Sequence, residues 1–150
     1  MKLQCSAQEL ITGLVNATRA LGARPATQVL EGVKLVTGED EISLTCTDGS
    51  MTICARVRAQ VDEPGQVVLP GKLFTEIARK LPEGAVTLSM NEKLVTTIKC
   101  GSSRSTLTGM PAADFPKTLD LINTHALHVP QKRLRDMINR VVFAIAAQES

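Results

Sequence analysis

The sequence predicts an α+β fold of duplicated strand-helix-three-strand units, with the helices on one face of antiparallel sheet. Three observations carry this prediction. A short apolar strand followed by an amphipathic helix occurs as MKLQC with SAQELITGLVNATRAL, as QVVLP with GKLFTEIARKL, and again as ALHVP with QKRLRDMINRVVFAI. The first two copies are each followed by runs of alternating sequence separated by turn residues. The 150 residues, 43% of them hydrophobic, are enough to bury a core without disulfides. Repetition on this scale constrains the whole architecture.

The helices are read from apolar positions at i, i+1, i+4 and i+5, one face of a 3.6-residue period. These are Leu10, Ile11, Leu14 and Val15, then Leu73, Phe74, Ile77 and Ala78, then Met137, Ile138, Val141 and Val142. Leu21 and Phe74 are assigned to the core. Ser6 and Glu9 have the spacing of a capping box at the start of the first helix, and Gly22 is placed to end it. Strands are expected at VLEGVKLVT, EISLTC and MTICARV, with Val33, Leu35, Ile42, Leu44, Met51 and Ile53 pointing inward. In the second unit the helix runs from about Gly71 to Leu81 before Pro82, and AVTLSM, LVTTIKC and RSTLTGM follow as strands. Asp40, Asp48 and Asp114 fall in turns, where capping of local backbone accounts for them.

Pro111 to Pro116 breaks the periodicity, and a polar stretch runs on to Thr124. The expected organisation is therefore a first domain over 1–117, then a linker with the first strand and helix of a second domain over 118–150. A strand and helix without partner strands cannot bury their apolar faces, so the second domain reads as truncated.

The net charge of +2 is unevenly placed. Residues 6–21 carry none, 71–81 carry +2 and 131–140 carry +3, which leaves −3 for the remainder. Basic helix faces on a mildly acidic body suit a polyanion. Cys5, Cys46, Cys54 and Cys100 are scattered without a CxxC pair, and His125 and His128 lie far from them, so no metal site is expected. The thiols read as small strand hydrophobes. Phosphate-loop, dinucleotide, nucleophile-elbow and zincin motifs are all missing, and neither catalysis nor a cofactor is expected. No apolar run approaches the roughly 18 residues of a membrane span, no signal peptide is recognisable, and the expected location is cytoplasmic.

LGARP at 21–25, LTCTDGSM at 44–51, VVLPGKLFTEIARKLPEG at 67–84 and GMPAADFP at 109–116 resemble the bacterial DNA polymerase III beta subunit family, the beta sliding clamps. The similarity runs from Met1 to Ser150. It implies a DNA clamp fold, with two crescent chains of three similar domains closed around duplex DNA, helices lining the hole and sheets outside. It also implies a non-catalytic processivity factor whose partners are duplex DNA, a second copy of itself, the replicative polymerase and the clamp loader. Matched position by position, Arg24 and Gln148 correspond to family residues that contact DNA, and Lys72 and Arg79 to channel-side helix positions. Composition and periodicity add Lys132, Arg133, Arg135 and Arg140. With no Trp or Tyr and only three Phe, stacking platforms for single strands are lacking, which favours the duplex backbone as the target. Ser105 stands on the 102–108 strand, where the family often has a bulky apolar residue at the ring contact. The partner-peptide cleft belongs to family domains beyond this sequence. The alternative expectation is a stand-alone short protein that modulates the assembly of complete clamp rings.

Overall fold

Alternating sequence and turn residues give eight strands and two helices between Lys2 and Thr108 in the computed structural model, which describes residues 1–22, 25–117 and 127–145. The first unit is β1 (Lys2–Ser6), α1 (Ala7–Ala17), β2 (Gly32–Thr37), β3 (Glu41–Thr47) and β4 (Thr52–Glu63). The second is β5 (Gln66–Pro70), α2 (Gly71–Arg79), β6 (Ala85–Met90), β7 (Val95–Cys100) and β8 (Ser103–Thr108). The predicted duplication is thus observed in full.

All strand pairs are antiparallel, in the order β5-β2-β3-β4-β1-β6-β7-β8. The two units exchange their opening strands. β1 opens the first unit yet pairs with β6 of the second, with Cys5 opposite Val86. β5 opens the second yet pairs with β2 of the first, with Val33 opposite Leu69. At the seam between the halves, β1 also pairs along the last part of the long strand β4. The corresponding seam between β8 and β5 is reduced to one bridge, in which Val68 and Met110 exchange backbone hydrogen bonds of 3.1 and 2.8 Å. A strap follows, in which Ala112 and Phe115 bury against Val68 and the Lys34 ammonium lies 5.7 Å from the Phe115 ring centroid.

The core joins both units: Leu3, Leu10, Leu14, Val33, Leu35, Ile42, Leu44, Leu69, Phe74, Leu88 and Ile98 are fully buried in one cluster. Each contributes about 1.5–3 kcal/mol of transfer free energy. α1 packs on β3, β4 and α2, while α2 packs on β2 and β5.

Several local expectations are corrected. The two helices correspond through Ala7 with Gly71, Leu10 with Phe74 and Leu14 with Ala78, all buried. The expected apolar set on α2 is therefore one residue out of phase with that of α1, and Leu73 is 48% exposed. Met51 is 46% exposed, because it lies in the β3–β4 turn, where its carbonyl accepts the Thr47 hydroxyl at 2.9 Å. The Ser6–Glu9 capping box does not form. Ser6 is committed to β1 opposite Ala85, and the first helical amide, that of Ala7, donates instead to the Gly84 carbonyl at 2.9 Å. α1 ends before Gly22, with the Thr18 hydroxyl bonded to the Leu14 carbonyl at 2.7 Å and a 3-10 turn over Thr18–Ala20. The strand expected from Val29 begins only at Gly32, after a 3-10 turn over Gln28–Glu31. A Cβ at Gly32 would clash with Val68 Cγ1, so β2 can approach β5 there only without a side chain.

The chain forms two compact bodies, Met1–Thr118 and Leu119–Ser150. In the latter, α3 (Gln131–Asn139) is followed by a 3-10 turn over Val142–Ala144. No strand forms over 127–130, where the ALHVP strand was expected; a strand needs a neighbour for its backbone groups, and none pairs with it among the described residues. The apolar side of α3 includes Leu134 beside Met137 and Ile138, and all three are exposed, as are Val141 and Val142 beyond its end.

Gly13 lies at a close approach of α1 to the sheet. A Cβ there would meet Val57 Cγ2 at 2.6 Å and Leu44 Cδ1 at 3.0 Å, both on buried side chains. Gly13→Ala gains about 1 kcal/mol of helix propensity but incurs overpacking of about 1–3 kcal/mol. Denaturant unfolding is expected to show a net loss of stability of about 1 kcal/mol, against the gain that propensity alone predicts.

Candidate nucleic-acid interface

Because α1 and α2 turn Leu10, Leu14, Phe74 and Ala78 into the core, the opposite faces of both helices meet solvent. The start of α2 meets the chain just past α1, where a Cβ at Gly71 would lie 2.7 Å from Leu21 Cδ1. The other ends of the two helices share a cleft of about 650 Å³, lined by Ala7, Gln8 and Ile11 on one side and by Leu81 and Pro82 on the other. The exposed positions on α1 are Gln8, Glu9, Thr12 and Asn16, with Arg19 just beyond. Those on α2 are Lys72, Leu73, Glu76 and Arg79, with Lys80 as C-cap. The cationic character of this layer thus rests on one helix.

Lys72 and Arg79 lie two turns apart, on the same side of α2, and both are exposed. Neither takes part in an ion pair among the described residues. Sequence reasoning left Lys80 unassigned, although it extends their basic stripe. Arg24 and Gln148 lie outside the described residues. Gly22 and Pro25, which flank Arg24 in sequence, line a cleft of about 210 Å³ with Gly71 and Lys72.

Within Leu119–Ser150, Lys132, Arg133 and Arg140 line one cleft of about 490 Å³ together with Pro130, Asp136 and Met137. Arg135 is not part of it, and its Nε lies 3.9 Å from Asp136 Oδ1. The structure therefore brings three of the four basic candidates on α3 together and holds the fourth beside a carboxylate.

No group of His, Cys, Asp and Glu side chains suited to a metal ion occurs among the described residues. Burial pushes the Cys5 and Cys46 thiols up to about 12, which makes them poor nucleophiles near neutral pH. The Cys100 thiol donates to the Pro82 carbonyl at 3.3 Å, whereas Cys54 is exposed, against the expectation of four strand hydrophobes. No described helix is long and apolar enough to cross a membrane. On β8, Ser105 is half-buried opposite Ile98, and no strand pairs with the outer edge from Ser103 to Thr106 among the described residues.

Two strand-helix-three-strand units that exchange their opening strands, with both helices layered on one face of the sheet, define a clamp-type α+β domain. The chain belongs to the family described as DNA polymerase III beta subunit, N-terminal domain, whose family model matches residues 1–120. It is 33% identical to the beta sliding clamp of Escherichia coli K12 over 150 residues, covering 99% of this chain and 41% of that protein. It is 32% identical to the beta sliding clamp of Halalkalibacterium halodurans, covering 90% of this chain and 38% of that protein. Among solved structures, the DNA polymerase sliding clamp of Caulobacter crescentus superposes with a TM-score of 0.92 at 32% identity, covering all of this chain and 41% of that one. That of Bacillus subtilis gives 0.94 at 26% identity, covering all of this chain and 42% of that one. The chain thus spans about two fifths of the length of these relatives.

The β3–β4 turn abuts this region, since a Cβ at Gly22 would lie 3.5 Å from Asp48 Cβ. Asp48 Oδ1 accepts the amides of Met51 at 2.7 Å and Ser50 at 2.9 Å, and these bonds hold its carboxyl below its ordinary value of 3.8. A depressed carboxyl contributes stability that is present above its unfolded pKa and is lost as pH falls through the folded one. Asp48→Ala is expected to be less stable than the parent at neutral pH, with the difference vanishing as pH falls below 3.8. Paired thermal unfolding curves across this range check it.

Proposed function

We propose that this chain is the opening portion of a ring-forming processivity clamp. Residues 1–117 form its N-terminal clamp domain, and 118–150 hold a linker and the beginning of the next. In this reading the helix layer faces duplex DNA and the sheet faces outward. The observation that carries it is the outward face of α2, where Lys72 and Arg79 stand exposed and outside any ion pair among the described residues. Arg24 and Gln148 join them through their family match, and Lys132, Arg133 and Arg140 through the charge of α3. Arg135 contributes least, being held beside Asp136.

Lys and Arg on helices attract phosphates at long range without reading bases, which is what a protein that moves along DNA requires. The complete protein would catalyse nothing itself. It would hold the replicative polymerase on its template, be placed there by a clamp loader, and work in the cytoplasm. The outer edge of β8, with which no strand pairs among the described residues, supports strand-to-strand pairing with a second copy to close the ring. With Ser105 on that strand, the contact would lack a large apolar anchor on this side.

Fluorescence anisotropy with a labelled duplex tests the reading. The chain is expected to bind weakly, regardless of sequence and with steep salt dependence. Lys72→Ala and Arg79→Ala should each reduce the slope of log K against log salt by about 1. Salt-insensitive or sequence-specific binding would overturn the proposal, as would slopes that neither substitution alters.

A further inference from the structure

Aligned from their first residue, the three helices present the same outward ridge at their second, sixth and tenth positions. The ridge is Gln8, Thr12 and Asn16 on α1, Lys72, Glu76 and Lys80 on α2, and Lys132, Asp136 and Arg140 on α3, and every one of these residues is exposed. Spacing at i, i+4 and i+8 puts each set along one side of its helix, with about 6 Å of rise per step. The match of α2 and α3 extends to their ends. Each follows a proline N-cap, Pro70 or Pro130, and each finishes on a cationic C-cap in right-handed helical conformation, Lys80 or Arg140. Both basic helices therefore carry a carboxylate at the same place, midway between two cations, and α1, whose ridge is uncharged, has Thr12 there.

An ordinary helix-stabilising role would have each carboxylate in contact with a ridge cation. The ion pairs among the described residues do not include Glu76, and the partner of Asp136 is Arg135, which lies off the ridge. The Glu76 carboxylate is thus presented to whatever approaches the cations, and the Asp136 carboxylate lines the cleft of Lys132, Arg133 and Arg140 with the Arg135 guanidinium 3.9 Å from it. Against a phosphate it opposes binding on the scale that one flanking cation favours it.

We infer that Glu76 and Asp136 are attenuators of duplex binding, built into the cationic ridges at equivalent positions to keep the grip on phosphate shallow. The inference rests on the duplex-binding reading above and adds to it how strongly the surface holds its ligand. A ridge of cations alone would bind more tightly and move less readily along the backbone, whereas cation-carboxylate-cation ridges keep the attraction sequence-independent and weak.

The test uses the full chain with Glu76→Gln, Asp136→Asn, the double variant, and Glu92→Gln. The last makes the same charge change at an exposed residue in the β6–β7 turn. Anisotropy with a labelled duplex at several sodium chloride concentrations is the readout. Each ridge substitution is expected to tighten binding by about three- to ten-fold at low salt, an effect that shrinks as salt rises, while Glu92→Gln changes it by less than about two-fold. Unchanged or weaker binding by the ridge variants would overturn the inference, as would an equal gain from Glu92→Gln, which would make the effect one of net charge. If the unaltered chain shows no salt-dependent binding, the duplex-binding reading fails first and the inference fails with it.

Discussion

The structure depends on the exchange of opening strands between its two units. β1 is held between β4 and β6, and β5 is held against β2, so neither unit owns a complete sheet. The exchange places Leu3 and Leu69 in a core they share with side chains of the other unit, and it fixes where both helices begin, since each starts directly after its exchanged strand. The helix layer inherits its position from this arrangement. It also makes the decisive pairings non-local, so that closure entropy must be met before the shared core can compensate it.

The duplication is not a symmetry of surface. One seam is a full strand pair, because β4 is long enough to reach β1, whereas the other is the Val68–Met110 bridge and its strap, because β8 stops at Thr108. The sheet is therefore continuous across one join and leaves a strand edge at the other. The helices diverge similarly, with the same packing positions inside but amides, a hydroxyl and the Glu9 carboxylate outside on α1 and the cations Lys72 and Arg79 outside on α2. A repeated backbone provides equivalent places, and the residues put there give them different work.

Much of this was legible in the sequence. Alternation, turn residues and recurrence of the strand-helix pair were sufficient for eight strands, two helices and the duplicated order, because period-2 and period-3.6 patterns report directly on burial. Phase within a short helix was less legible. With Leu73 and Phe74 adjacent, either could begin the apolar stripe of α2, and only packing on β2 and β5 selects Phe74. The Ser6 cap failed because the residue already had a partner strand, which is a tertiary fact. For the interface, exposure of Lys72 and Arg79 followed from the helix period. The parting of Arg135 from its neighbours on α3 did not, because it turns on where one guanidinium settles beside Asp136.

Strand exchange has a consequence for how such a domain can be divided and joined. The only covalent link between the two halves of this fold is the short connection from Glu63 to Gln66. With that link cut, two separate units could still form the same sheet, each lending its first strand to the other, as in a domain-swapped dimer. Fusing the units into one chain replaces a bimolecular encounter with an intramolecular one at high effective concentration. It also frees each half from having to match itself, and so permits one helix to become basic while the other carries no cation.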